Sequence, residues 1–150
     1  MSNESMMTML MAMMGAYLVV GVIWVILQVI AYWRIFKKAG EPGWKSLIPV
    51  YSGYVQYKIA WKPMMFWIML IATFIGNYTY NNYLSESSTM WMVITLILGV
   101  VCLIINIMYS VKLAKAFGKG IGFAVGLLLL QPIFILILAF GSAEYQGADL

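Results

Sequence analysis

MLMAMMGAYLVVGVIWVILQVIAYW, residues 9–33, contains no charged side chain and a single amide, Gln28. A helix needs about 20 apolar residues to cross the hydrocarbon core of a bilayer, and this stretch supplies them without interruption. Its apolar residues do not alternate with period two, so a barrel strand is excluded. Arg34, Lys37 and Lys38 follow at once, and Gly40, Pro42 and Gly43 then break the helix. An uncharged helix ending in a basic turn reads as a membrane span held at its cytoplasmic end.

Three further stretches repeat the pattern. Residues 64–80 are apolar to Gly76 and finish with Tyr78 and Tyr80, side chains suited to a headgroup layer. Residues 90–109 and 122–140 are apolar throughout except for Thr95, Asn106 and Gln131. The fold expected is all-α: a single polytopic membrane domain over residues 1–150, with four transmembrane helices. Composition agrees, with 64% of residues hydrophobic, 9% charged and a mean hydropathy of +0.93. A soluble chain of this size has too much surface to hide that much apolar side chain.

All nine basic residues fall between these spans in two groups. Arg34, Lys37, Lys38, Lys45, Lys58 and Lys62 lie in residues 34–63, and Lys112, Lys115 and Lys119 in residues 110–121. The N-terminus, the 81–89 connection and the tail after Phe140 hold none. The positive-inside rule therefore predicts both basic loops in the cytoplasm and both termini outside. The formal charge of +4 is thus a matter of orientation and lipid phosphates, with no independent basic face for nucleic acid. The start of the chain carries Glu4 and no cation, and it reads as a retained first helix rather than a cleaved signal.

The first basic loop carries the most local structure. After Pro49, Tyr51, Tyr54, Tyr57, Lys58 and Trp61 recur at spacings of three and four, along one helical face. This spacing predicts an interfacial amphipathic helix between spans one and two. Trp44 and Trp61 would anchor it, and Lys45, Lys58 and Lys62 would reach the phosphates of anionic lipid. Tyr32 to Lys38-Ala39 and Tyr109 to Lys115-Ala116 share the spacing Tyr-x5-Lys-Ala, each ahead of a glycine-rich turn. A duplicated hairpin or chance accounts equally for that likeness.

The chemistry-bearing inventory is sparse. The chain has no histidine, which removes His-based triads and most zinc sites. No Asp or Glu falls within a span, so carboxylate relays for proton coupling are missing. Six methionines between Met6 and Met14 fit either a soft Cu(I) site or adaptable apolar packing. No cofactor or metal is expected. Gly118, Gly122 and Gly126 recur every four residues and would clear one face of the last span for helix packing. Gln28, Asn106 and Gln131 are the candidate liners of a polar path, although such groups also bond across helices.

Two stretches carry a family resemblance: KKAGEPGWKSLIPVYSGYVQYKIAWKP (37–63) and KLAKAFGKGIGFAVGLLLLQPIFILILAFGSAEY (112–145). The distinctive motifs are Gly-Trp-Lys-x-Leu-Ile-Pro-x-Tyr and Ala-Phe-Gly-Lys-Gly-x-Gly-Phe. They resemble a family of small bacterial multi-pass membrane proteins of unknown function, sometimes labelled signal peptidase I. The resemblance implies a bacterial or archaeal cytoplasmic membrane and a shared four-helix domain. It implies no reaction, because a signal peptidase needs a lysine beside an outer-face serine, and every lysine here falls in the inner loops. The function expected is non-enzymatic: self-assembly as a homo-oligomer, or service as an accessory subunit of a membrane complex. An oligomeric channel or transporter for a small solute or ion is the alternative.

Overall fold

The computed structural model describes residues 3–148, and the regular structure among them is entirely helical. Helix α1 runs Asn3–Lys38, a 3₁₀ turn Gly43–Leu47, α2 Pro49–Ala60, α3 Met64–Glu86, α4 Thr89–Ala116, α5 Ile121–Leu129 and α6 Gln131–Phe140. Among the described residues, α1 (over Glu4–Lys38) and α4 are long and apolar enough to cross a membrane. The helix expected after Pro49 is α2, and Pro49 occupies its first turn, where a missing N–H costs nothing.

Helices α1 and α4 end in the same way. After α1, Gly40 takes a left-handed φ of 76° while its N–H bonds the Lys37 carbonyl and the Glu41 N–H bonds that of Phe36. After α4, Gly118 (φ 65°) bonds Lys115 and the Lys119 N–H bonds Ala114. Both are Schellman ends, in which glycine adopts the left-handed conformation that other residues resist. The shared Tyr-x5-Lys-Ala spacing thus precedes the same stop signal at two helix ends. Helices α3 and α4 are joined through Ser87 and Ser88 and run antiparallel, with the Thr95 hydroxyl donating to that of Thr79 at 2.9 Å.

The segment 122–140, expected to be one spanning helix, is two helices folded back on each other. The chain breaks at Leu130 (φ −131°, ψ 46°), two residues before Pro132. Pro132 lacks the N–H that a continuous helix would bond back across the break, and it sits instead in the first turn of α6, where that N–H is not needed. Helices α5 and α6 have 9 and 10 residues, about 14 and 15 Å at 1.5 Å per residue, half the roughly 30 Å of a hydrocarbon core. Their rings meet, Phe123 against Phe134 at 5.0 Å. Gly126 lies so close under Phe134 that a Cβ there would collide with the ring.

The return is completed by the tail. The Gln146 N–H donates to the Ala116 carbonyl at 2.7 Å, and the Tyr145 hydroxyl to that of Ile59 at 3.0 Å. Residues 141–148 therefore lie at the end of the molecule that carries the basic residues of α1 and α4. The expectation that the tail stands at the opposite end from the basic loops is corrected by these contacts. A helix too short to cross, followed by one equally short, brings the chain back to the end where it started.

The packed core lies at this basic end. Ile35 and Phe36 of α1, Val55 and Ile59 of α2, Leu113 and Phe117 around the end of α4, and Leu127 and Leu138 of the hairpin are all at most 3% exposed. Beyond the core α3 and α4 stay packed together, whereas among the described residues α1 approaches neither of them within 8 Å, Cα to Cα. Leu18 and Val20 of α1 are 69% and 63% exposed, and Phe74 of α3 is 70% exposed.

Candidate functional site at the basic end

Glu41 organises the first basic loop. The Schellman end of α1 fixes its backbone, and its carboxylate accepts from the Lys45 and Lys58 ammonium groups, each at 2.6 Å. The two lysines come from different elements, the 3₁₀ turn and α2, so one carboxylate ties both to the end of α1. Hydrogen bonds from Lys45 and Lys58 hold the Glu41 carboxyl below its ordinary range, and Glu41 in turn raises both lysines. Gly43, buried beneath the Trp33 indole, has no room for a side chain, and this lets the turn close against α1.

An aromatic groove opens beside this clamp. Ile48, Val50, Tyr51, Tyr54, Phe66 and Trp67 line a volume of about 520 Å³ between the starts of α2 and α3. Trp44, Tyr51 and Tyr54 form a stacked row with centroids 6.3 and 6.0 Å apart. Lys45 Nζ lies 5.3 Å from the Tyr51 ring, giving the groove a cationic rim. Further round, Lys112 Nζ lies 5.9 Å over the Trp61 ring. Trp44 and Lys62 are exposed, and Trp61 is half-buried. Among the expected lipid-facing residues, Lys45 and Lys58 therefore already share a partner within the chain.

The hairpin is held by α1. Lys38 Nζ donates to the Leu138 and Gly141 carbonyls, both at 2.8 Å, and the Arg34 guanidinium stacks 4.6 Å over the Phe140 ring. Two cations one turn apart thus grip the C-terminal end of α6, where helix carbonyls lack partners and the helix dipole favours positive charge. Higher up, the Gln28 amide donates to the Pro132 carbonyl at 3.2 Å, and the Gln131 side chain lies near the Tyr32 hydroxyl. Gln28 and Gln131 brace the hairpin tip against α1, while Asn106 stands apart from them on α4.

The glycines expected as one packing stripe have three different settings. Gly118 is in the turn after α4, against Gln146; Gly122 faces open space; Gly126 lies under Phe134. A single stripe would require one continuous helix over 118–126, whereas α5 begins only at Ile121. Among the described residues no group of His, Cys, Asp or Glu could hold a metal ion. Sequence reasoning passed over Glu41, Lys38 and the tail residues Tyr145 and Gln146. Glu41 had a signal, as the one acid among the six cations of residues 34–63. Lys38 and Gln146 had none, because their partners are backbone groups about 30 to 100 residues away.

A match to the family described as "Family of unknown function (DUF5684)" covers residues 44–148, from the 3₁₀ turn to the tail, and the chain belongs to that family. No curated protein and no solved structure matches it.

Proposed function

We propose that this member of the DUF5684 family is a small non-enzymatic membrane protein that acts by assembling in the bilayer, with further copies of itself or as an accessory subunit of a membrane complex. The observation that carries this reading is the separation of the molecule into a packed basic end and long apolar helices exposed beyond it. In this reading α1, α3 and α4 cross the cytoplasmic membrane, with the N-terminus outside and the basic end inside. The α5–α6 hairpin enters from the cytoplasmic side, reaches about mid-bilayer and returns, so the tail is cytoplasmic. The reading is supported by the basic charge, gathered at the one end where the loops, α2 and the tail also meet. Its interfacial aromatics and Lys58 and Lys62, both exposed, suit an anionic lipid surface.

Native mass spectrometry of the protein released from its own membranes tests the function. A homo-oligomer, or a defined complex with another membrane protein, is the expected result; a monomer alone refutes it. Impermeant maleimide labelling tests the topology in a Cys102→Ala background. Ser85→Cys should label in intact cells, whereas Lys58→Cys and Ser142→Cys should label only after lysis. Labelling of Ser142→Cys from outside would refute the re-entrant arrangement.

A further inference from the structure

The structure points to a specific interface between copies: we infer that the free outer half of α1 docks into the groove between α3 and α4 of a second copy. This inference rests on the membrane-assembly reading and names the surfaces that carry it.

Three glycines motivate it. Gly21 in α1, Gly76 in α3 and Gly99 in α4 lie inside helices, and a Cβ built on any of them would meet nothing within 4 Å. A glycine inside a helix is about 0.5–1 kcal/mol less stable than alanine there. No packing within this chain requires those three. Each instead lies in a recess. Gly21 is flanked by Tyr17, Leu18, Val22 and Val25 in a shallow volume of about 390 Å³ on α1. Gly76 and Gly99 line a groove of about 320 Å³ with Ala72, Thr95 and Cys102. The Thr79–Thr95 hydrogen bond fixes the spacing of the two helices that form this groove.

The surfaces match in height. Gly21 stands as many residues before the Schellman glycine Gly40 as Gly99 stands before Gly118, about 28 Å above the basic end in each case. Gly76, three residues below the Thr79–Thr95 pair, is level with Gly99. Rotation about an axis normal to the membrane preserves height. A cyclic arrangement therefore brings α1 of each copy into register with the groove of the next, as a head-to-tail contact that closes into a ring. The free part of α1 is about 36 Å long and 10–12 Å wide. By the same residue count α3 and α4 end about 12 Å below the start of α1, so about 24 Å of it stands beside the groove. Covering half its circumference over that length removes roughly 400 Å² from each partner, about 800 Å² at each contact, and a ring gives every copy two such contacts. Gly21 on α1, facing Ala72, Gly76 and Gly99 in the groove, allows the close backbone approach on which helix association in lipid depends.

The native Cys102 makes a direct test possible in the full-length chain. Val25→Cys on α1 lies at the height of Cys102, within the Gly21 recess. Among the described residues α1 nowhere approaches α4 within 8 Å, Cα to Cα. A disulfide needs roughly 4.4–6.8 Å, so these two cysteines join only between copies. Mild oxidation of native membranes should give a ladder of covalent dimers and higher multiples with Val25→Cys. Adding Cys102→Ala should remove the ladder, and Ile23→Cys, on the opposite face of α1, should yield at least tenfold less. Gly99→Leu, which meets nothing in its own chain, should reduce the Val25→Cys ladder at least tenfold. No ladder from Val25→Cys, or the same ladder without Cys102 or from Ile23→Cys, overturns the interface. If native mass spectrometry still shows multimers in that case, assembly stands and only this interface fails; if it shows monomers, both fail.

Discussion

Replacing Lys38 with Met keeps the aliphatic stem and removes the ammonium that grips the hairpin. Lys38 Nζ donates to two carbonyls, Leu138 and Gly141, at 2.8 Å each. A hydrogen bond involving a charged group contributes about 1.5–3 kcal/mol when buried. Lys38 is only half-buried, so water competes for part of this, and the pair together should contribute about 2 kcal/mol. For a chain of this length such a loss lowers Tm by roughly 4–8 °C. Lys37→Met is the matched control: it removes the same charge and only a ring contact, 5.8 Å over Trp33, about 0.5 kcal/mol at an exposed site. Thermal unfolding in mild detergent measures the difference, and hydrogen exchange locates it. Amides of residues 138–146 should exchange faster in Lys38→Met alone. Equal Tm shifts for the two variants, or unchanged exchange over 138–146, would refute the argument that Lys38 caps α6.

Two further predictions concern the clamp and the hairpin. The Glu41 carboxyl is held below its ordinary value near 4.5, so its ion pairs contribute fully above that pH and are lost as pH falls through the depressed value. Limited proteolysis of residues 39–48 should therefore begin below pH 4.5 in the wild-type chain; Glu41→Gln should be cut already at pH 7, with little further change on acidification. Gly126→Leu places a side chain where the Phe134 ring lies; overpacking of about 1–3 kcal/mol should exceed the helix-propensity gain of about 0.8 kcal/mol. Thermal unfolding should show destabilisation that Phe134→Ala largely relieves in the double variant, whereas purely additive effects would count against this packing.

The sequence by itself determined the helical class, the positions of α1 through α4 and the gathering of the cations into two loops. These follow from local properties: apolar runs, prolines at helix starts, glycines at helix stops, and the placement of charge. The helix after Pro49 was legible because its start and its aromatic spacing are both local. Only the tertiary structure decided the fate of residues 121–148. An unbroken apolar stretch reads as one span, since hydropathy measures the medium around a helix and not its direction. The reversal at Leu130 depends on Phe134 fitting over Gly126, on Lys38 receiving the end of α6, and on Gln146 pairing with Ala116. Glu41 likewise becomes a clamp only when α2 brings Lys58 to it from 17 residues away. Contacts of this kind join groups distant in the chain, and neither composition nor periodicity encodes which of them will meet.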